Sequence, residues 1–146
     1  MSIYFAIAMG IVGLIFAYIL SSFVGKAESG SDRMKEISTA IHEGAKAFLF
    51  AEYRVLIIFV IVLFLAIGFG LGNWVTAICF VCGAGASVLA GYCGMNVATK
   101  ANVRTARAAE KGGMVSALAI AFRGGAVMGM CVVGLGLLGC TLIYYI

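Results

Sequence analysis

The chain consists of long uncharged apolar runs separated by two charged stretches. Residues 3–24 hold no charge, and a run of that length can cross a bilayer, which takes about 20 residues rising about 1.5 Å each. No Lys or Arg precedes it. A cleavable leader has a basic start and a shorter apolar core, so a retained membrane helix is predicted. Between Arg54 and Lys100 there is again no charge. As one helix that stretch would be about twice as long as the hydrocarbon core is thick, so it must turn back. Gly68, Gly70, Gly72 and Asn73 suit a tight reversal, and Trp74 suits the membrane–water boundary. The pattern predicts spans at about 3–24, 55–71, 75–99 and 113–146, the last most evenly apolar from Gly124 onward.

The stretches between the spans, 25–54 and 100–112, are predicted to be helical for the most part. After the joint Gly25 to Gly30, Ser29 and Asp32 have the spacing of a capping box. Met34, Ile37, Ile41, Ala45, Phe48 and Leu49 then recur at helical spacing, which predicts an amphipathic interfacial helix feeding into the second span. His42 and Glu43 lie on its polar side, where a lone His is usually solvated. In the second stretch, Lys100, Arg104, Arg107 and Lys111 follow at steps of four, three and four, which places them on one helical face turned to headgroups or water. Ala98, Ala101, Thr105, Ala108 and Gly112 form another face of small residues.

Charge distribution sets an orientation. Nine of the ten Lys and Arg lie in these two stretches and Arg123 follows shortly after, whereas the opposite side, at Met1, Ser2 and around Asn73, carries none. The positive-inside rule then places both charged stretches in the cytoplasm and the N-terminus outside. Composition agrees with a membrane protein: 64% of residues are hydrophobic and mean hydropathy is +1.14, against about 45–50% apolar in soluble domains. With one Asp, five Glu and one His, no acid–base or metal-dependent site is expected within the chain. Cys79 and Cys82 have the spacing of a redox or zinc pair but lack a second ligand pair, so all five cysteines are read as free thiols.

Two roles compete for the basic stripe. Lys100, Arg104, Arg107 and Lys111 serve as topology anchors beside anionic lipid, or Arg104 and Arg107, with Arg123, draw in an anionic substrate. Arg123 is read as a snorkelling interface residue, with a role at membrane depth as the alternative. Gly134, Gly136 and Gly139 reproduce the letters of a dinucleotide fingerprint, but inside a span and without a strand before them. They are read as packing residues, like Gly83, Gly85, Gly91, Gly125 and Gly129.

Three stretches, MKEISTAIHEGAKAFLFAEYR (34–54), AGYCGMNVATKANVRTARAAEKGG (90–113) and ALAIAFRGGAVMGMCVVGLGLLG (117–139), together resemble the N-terminal region of the membrane-integral, ion-pumping inorganic pyrophosphatases of bacterial type. The resemblance covers essentially the whole chain. It implies an all-α polytopic protein in the bacterial cell membrane, with these four spans supporting a larger bundle. It further implies hydrolysis of pyrophosphate with Mg²⁺, a possible need for K⁺, expulsion of H⁺ or Na⁺, a homodimer, and no nucleic-acid partner. The metal-binding aspartates, substrate lysines and ion-gate residues of that family have no counterparts here, so no catalytic residue is carried over. An N-terminal fragment, inactive alone, is expected. The alternatives are a complete four-helix scaffold that associates through small faces, and a stand-alone transporter. The latter is disfavoured because no acidic residue falls inside an expected span.

Overall fold

The computed structural model describes residues 2–145. Met1, and Ile146 at the end of the last expected span, lie outside the described residues. Three helices account for nearly all of it: α1 (Ser2–Lys26), α2 (Asp32–Gly70) and α3 (Trp74–Tyr145). There is no strand among the described residues. Each helix is long and apolar enough to cross a membrane.

α3 is not one rod. Gly113 sits at φ 67°, ψ −166°, a region open essentially only to glycine. The chain reverses there. The first arm (74–112) and the second (114–145) pack antiparallel: Gly94 lies against Met128, and Gly124 against Ala101. Without that reversal a 72-residue helix would be about 108 Å long.

The α1 face that packs on α3 is small: Gly10, Gly13 and Ala17 precede Val24 at alternating steps of three and four or seven. A Cβ placed on Gly134 would stand 3.0 Å from the Gly10 carbonyl oxygen, and one on Gly10 would stand 3.2 Å from the Gly134 carbonyl oxygen. The two backbones are therefore in near contact. Val24 packs with Val97, Ala101 and Val127, and α1 and α2 touch α3 rather than each other. The buried set is mostly alanine and valine, whereas Phe5, Phe16, Phe59 and Leu65 face outward. Lipid tails are as apolar as leucine, so close packing rather than exclusion from water selects what lies inside.

The turns follow from local chemistry. Gly30, at φ 83°, turns the chain so that Ser31, not Ser29, caps α2; its hydroxyl accepts from the Met34 N–H at 3.4 Å. The expected capping box is thus displaced, because the glycine separates Ser29 from the helix start. At the other end Gly72 takes φ 64°, and the Asn73 side chain accepts from the N–H groups of Val75 and Thr76. Trp74 folds back over Gly68 and meets Phe69 edge-on at 5.2 Å.

The pairing of α2 with the first arm sets their relative level. His42 meets Thr99, Tyr53 meets Val88 and Trp74 meets Gly68. Residues 42–53 therefore run beside 88–99. The expected spans 55–71 and 75–99 do not cover the same level, and the second overhangs by about 13 residues, or about 20 Å. α2 carries the amphipathic stretch and the expected second span as one helix through Arg54. It continues unbroken to Gly70, because nothing in that stretch breaks the helix.

The five glycines expected to mediate packing do not make the close approaches found within this chain. A Cβ on Gly83, Gly85, Gly125 or Gly129 would meet nothing within 4 Å, and one on Gly91 would reach only the Tyr53 hydroxyl, at 4.0 Å. Inside this chain the close approaches between helices fall to Gly10, Gly68, Gly94, Gly124 and Gly134. Small size permits contact, but the direction of the Cα–Cβ vector decides which glycines make it.

Candidate functional site

The densest set of polar contacts lies where α1 ends, α2 begins and α3 approaches its break. The last carbonyls of a helix have no partner within it, and α1 ends at Lys26 with no cap from its own side chains. Arg104 supplies donors from α3. Its Nε donates to the Ala27 carbonyl at 3.0 Å and one terminal nitrogen to the Gly25 carbonyl at 3.2 Å. The other terminal nitrogen donates to the Lys100 carbonyl at 2.8 Å. A cation here also faces the negative end of the α1 dipole.

One turn on, Arg107 and Lys111 hold Glu28. Lys111 Nζ donates to Glu28 at 2.6 Å, and Arg107 lies 3.6 Å from its other oxygen while donating to Glu110 at 2.7 Å. The Lys111 hydrogen bond, then its charge and that of Arg107, hold the Glu28 carboxyl below the usual carboxylate range. The Glu110 hydrogen bond raises Arg107. The Arg107 side chain is only 21% exposed, and its Nε is buried without a partner. Arg104 and Arg107 are therefore turned onto the joint. Lys100 and Lys111 are exposed, Lys111 while still holding Glu28. Glu28, in a joint expected to be merely flexible, is the residue that sequence reasoning missed. The available signal was a lone carboxylate opposite several cations.

Arg123 lies over the Phe23 ring at 5.7 Å, level with the end of α1 and exposed. It is about 15 Å beyond the Gly113 break. His42 is half-buried, and its Nδ1 is 3.1 Å from the Thr99 hydroxyl. That hydroxyl donates to a backbone carbonyl, Met95 at 3.0 Å or Asn96 at 3.1 Å, which leaves its lone pairs for a proton on His42 Nδ1. Ala45, Lys46, Leu49, Tyr92 and Asn96 close around this pair.

The carboxylates do not suit Mg²⁺, which needs oxygen ligands gathered about one point. Asp32 is paired with Lys35, Glu36 with Arg33, and Glu28 and Glu110 with the stripe. Among the described residues no three His, Cys, Asp or Glu side chains could share an ion. Of the candidate substrate residues, Arg104 has all its guanidinium nitrogens engaged by backbone carbonyls, Arg107 donates to Glu110 and lies beside Glu28, and Arg123 lies over Phe23.

Long apolar helices with small buried faces, held together at one charged end, define a polytopic integral membrane protein of the all-α class. The family model for inorganic H⁺ pyrophosphatase matches residues 11–146, and the chain belongs to that family. It is 52% identical over 144 residues to a Clostridium tetani protein provisionally named a K⁺-stimulated pyrophosphate-energized sodium pump, covering 99% of this chain and 21% of that protein. It is 44% identical over 136 residues to a K⁺-insensitive pyrophosphate-energized proton pump of Methanosarcina mazei, covering 92% and 20%. It is 40% identical over 141 residues to a K⁺-stimulated pyrophosphate-energized sodium pump of Thermotoga maritima, covering 93% and 19%. The chain thus spans about a fifth of the length of these relatives.

Proposed function

We propose that the chain is the N-terminal part of a membrane pyrophosphatase that couples Mg²⁺-dependent pyrophosphate hydrolysis to H⁺ or Na⁺ pumping. The observation that carries this is a family match running through 11–146 in relatives about five times longer. In this reading α1, α2 and the two arms of α3 cross the bacterial cell membrane four times, with the N-terminus outside and the charged end in the cytoplasm. Magnesium and pyrophosphate bind carboxylates and cations elsewhere in the longer polypeptide, which acts as a homodimer. K⁺ stimulation is a property of that whole protein.

The part described here supports the rest. Arg104 fixes the end of α1, and Arg107 and Lys111 fix the joint, so three helices enter the membrane at set spacing. Lys100 and Arg123 face headgroups and act as topology anchors. The open glycines Gly83, Gly85, Gly125 and Gly129 take neighbouring helices of the same polypeptide at close range. The test is expression of the gene through its own stop codon, with pyrophosphate hydrolysis and ion uptake measured in inverted vesicles. Mg²⁺-dependent hydrolysis with uptake of H⁺ or Na⁺ is expected. A frame that stops after Ile146, or a folded longer product that does not hydrolyse pyrophosphate, overturns the reading.

A further inference from the structure

Three apolar runs of this chain agree on one level, and one does not. Val24 packs with Val97 and Ala101, and Gly13 lies beside Met130, next in level to the Gly94–Met128 contact. The middle of α1 is therefore level with about residue 92 of the first arm and about residue 131 of the second. Both arms are uncharged around those points. On α2, the Tyr53–Val88 contact puts Glu52 level with Leu89 and Arg54 level with Ser87. Both charges then stand within about 10 Å of the middle of α1, in a hydrocarbon core about 30 Å thick. Raising α2 to bring them to water would lift Ile15, Phe16 and Ile19 of α1, all exposed, out of the bilayer with it.

The two charges differ in what they can do alone. Arg54 has a long stem, and its guanidinium lies over Phe50 at 5.3 Å, so it can reach along the helix. Glu52 has no such reach, and it forms no ion pair among the described residues. It sits among Phe48, Val55 and Phe59 on an open flank of α2, turned away from α3. A carboxylate facing lipid at that depth is costly and needs a partner.

We infer that the Phe48–Glu52–Val55–Phe59 flank of α2 is covered by a further membrane helix of the same longer polypeptide, one that presents a basic side chain to Glu52. Charge complementarity sets the partner's chemistry, and a chain that spans only 21% of its relative's length has helices outside it to supply the partner. The inference rests on the proposed function, and the experiment separates the two. In the longer polypeptide, reconstituted and first shown to hydrolyse pyrophosphate, spin labels are placed at Glu52→Cys and Phe16→Cys in a background lacking other thiols. Accessibility is read with oxygen, which partitions into lipid, and with a water-soluble nickel chelate. The expected result is high oxygen and low nickel accessibility at residue 16, and low accessibility to both at residue 52. High nickel accessibility at 52 means that the segment stands in water, and high oxygen accessibility means that it faces lipid; either overturns the inference in an active sample. If Glu52→Cys abolishes activity, Ala51→Cys on the same flank replaces it, with the same readings. Absence of hydrolysis in the unlabelled parent overturns the pump reading instead.

Discussion

Gly13 and Gly134 lie in the same interface between α1 and the second arm of α3, yet a methyl group should have opposite consequences at the two. At Gly134 the new Cβ would meet Leu14 Cδ2 and Cγ at 2.9 Å and the Gly10 carbonyl oxygen at 3.0 Å. Leucine can rotate, but the carbonyl belongs to the backbone of α1, so the helices must move apart. At Gly13 the new Cβ would find Met130 Cε at 3.6 Å and the Gly134 Cα at 3.8 Å, ordinary contact that adds packing. Both substitutions carry the same gain in helix propensity, about 1 kcal/mol, which cancels in the comparison. What remains is overpacking at Gly134, about 1–3 kcal/mol. Gly134→Ala should therefore unfold more readily than Gly13→Ala by roughly 5- to 150-fold in the equilibrium constant. The assay is reversible SDS unfolding in mixed micelles, followed by loss of helical circular dichroism. Equal midpoints for the two variants, or the reverse order, would refute the reading that backbone contact, rather than side-chain burial, holds α1 in place.

Further outcomes follow from the charged end and from the α2 contact. Arg104→Ala combined with Arg107→Ala should disturb insertion or orientation of the longer protein more than its pyrophosphate affinity, measured by protease mapping beside hydrolysis kinetics; normal insertion with a large loss of affinity would contradict the clamp. Because the Glu28 carboxyl is held below its ordinary range, its contribution is complete above the unfolded-state value and disappears as pH falls through the lowered one. Proteolysis of the 27–31 joint should accordingly be slow at neutral pH and accelerate only in acid, and Glu28→Gln should be cleaved quickly at every pH. Tyr53→Phe removes the bond to the Val88 carbonyl, 3.2 Å long, and should cost about 0.5–1.5 kcal/mol in the same SDS titration. A loss several times larger would mean that the hydroxyl has a second partner.

Much of the architecture is present in the order of residues. The charge-free runs require helices to cross and return, Gly72 and Asn73 write the turn before Trp74, and Gly113 marks the break after the basic stripe. Each of these depends on a local property: hydropathy, a positive φ, or a side-chain cap. The joint was legible only in part, since its cations stand out and the single carboxylate they hold does not.

Tertiary structure decided the rest, because it depends on vectors and levels that no local pattern carries. Gly83 and Gly134 are the same residue type in similar helical surroundings, but only Gly134 points at a neighbouring backbone. Arg104 lies on a stripe that spacing alone assigns to water, until the end of α1 arrives beside it with unpaired carbonyls. The sequence by itself determined that this chain spans a membrane and that its charge gathers in two stretches between apolar runs. The level at which α2 docks on α3, and with it the depth of Glu52, was determined by contacts between residues as far apart as His42 and Thr99, whose pairing is favourable only once both helices have formed.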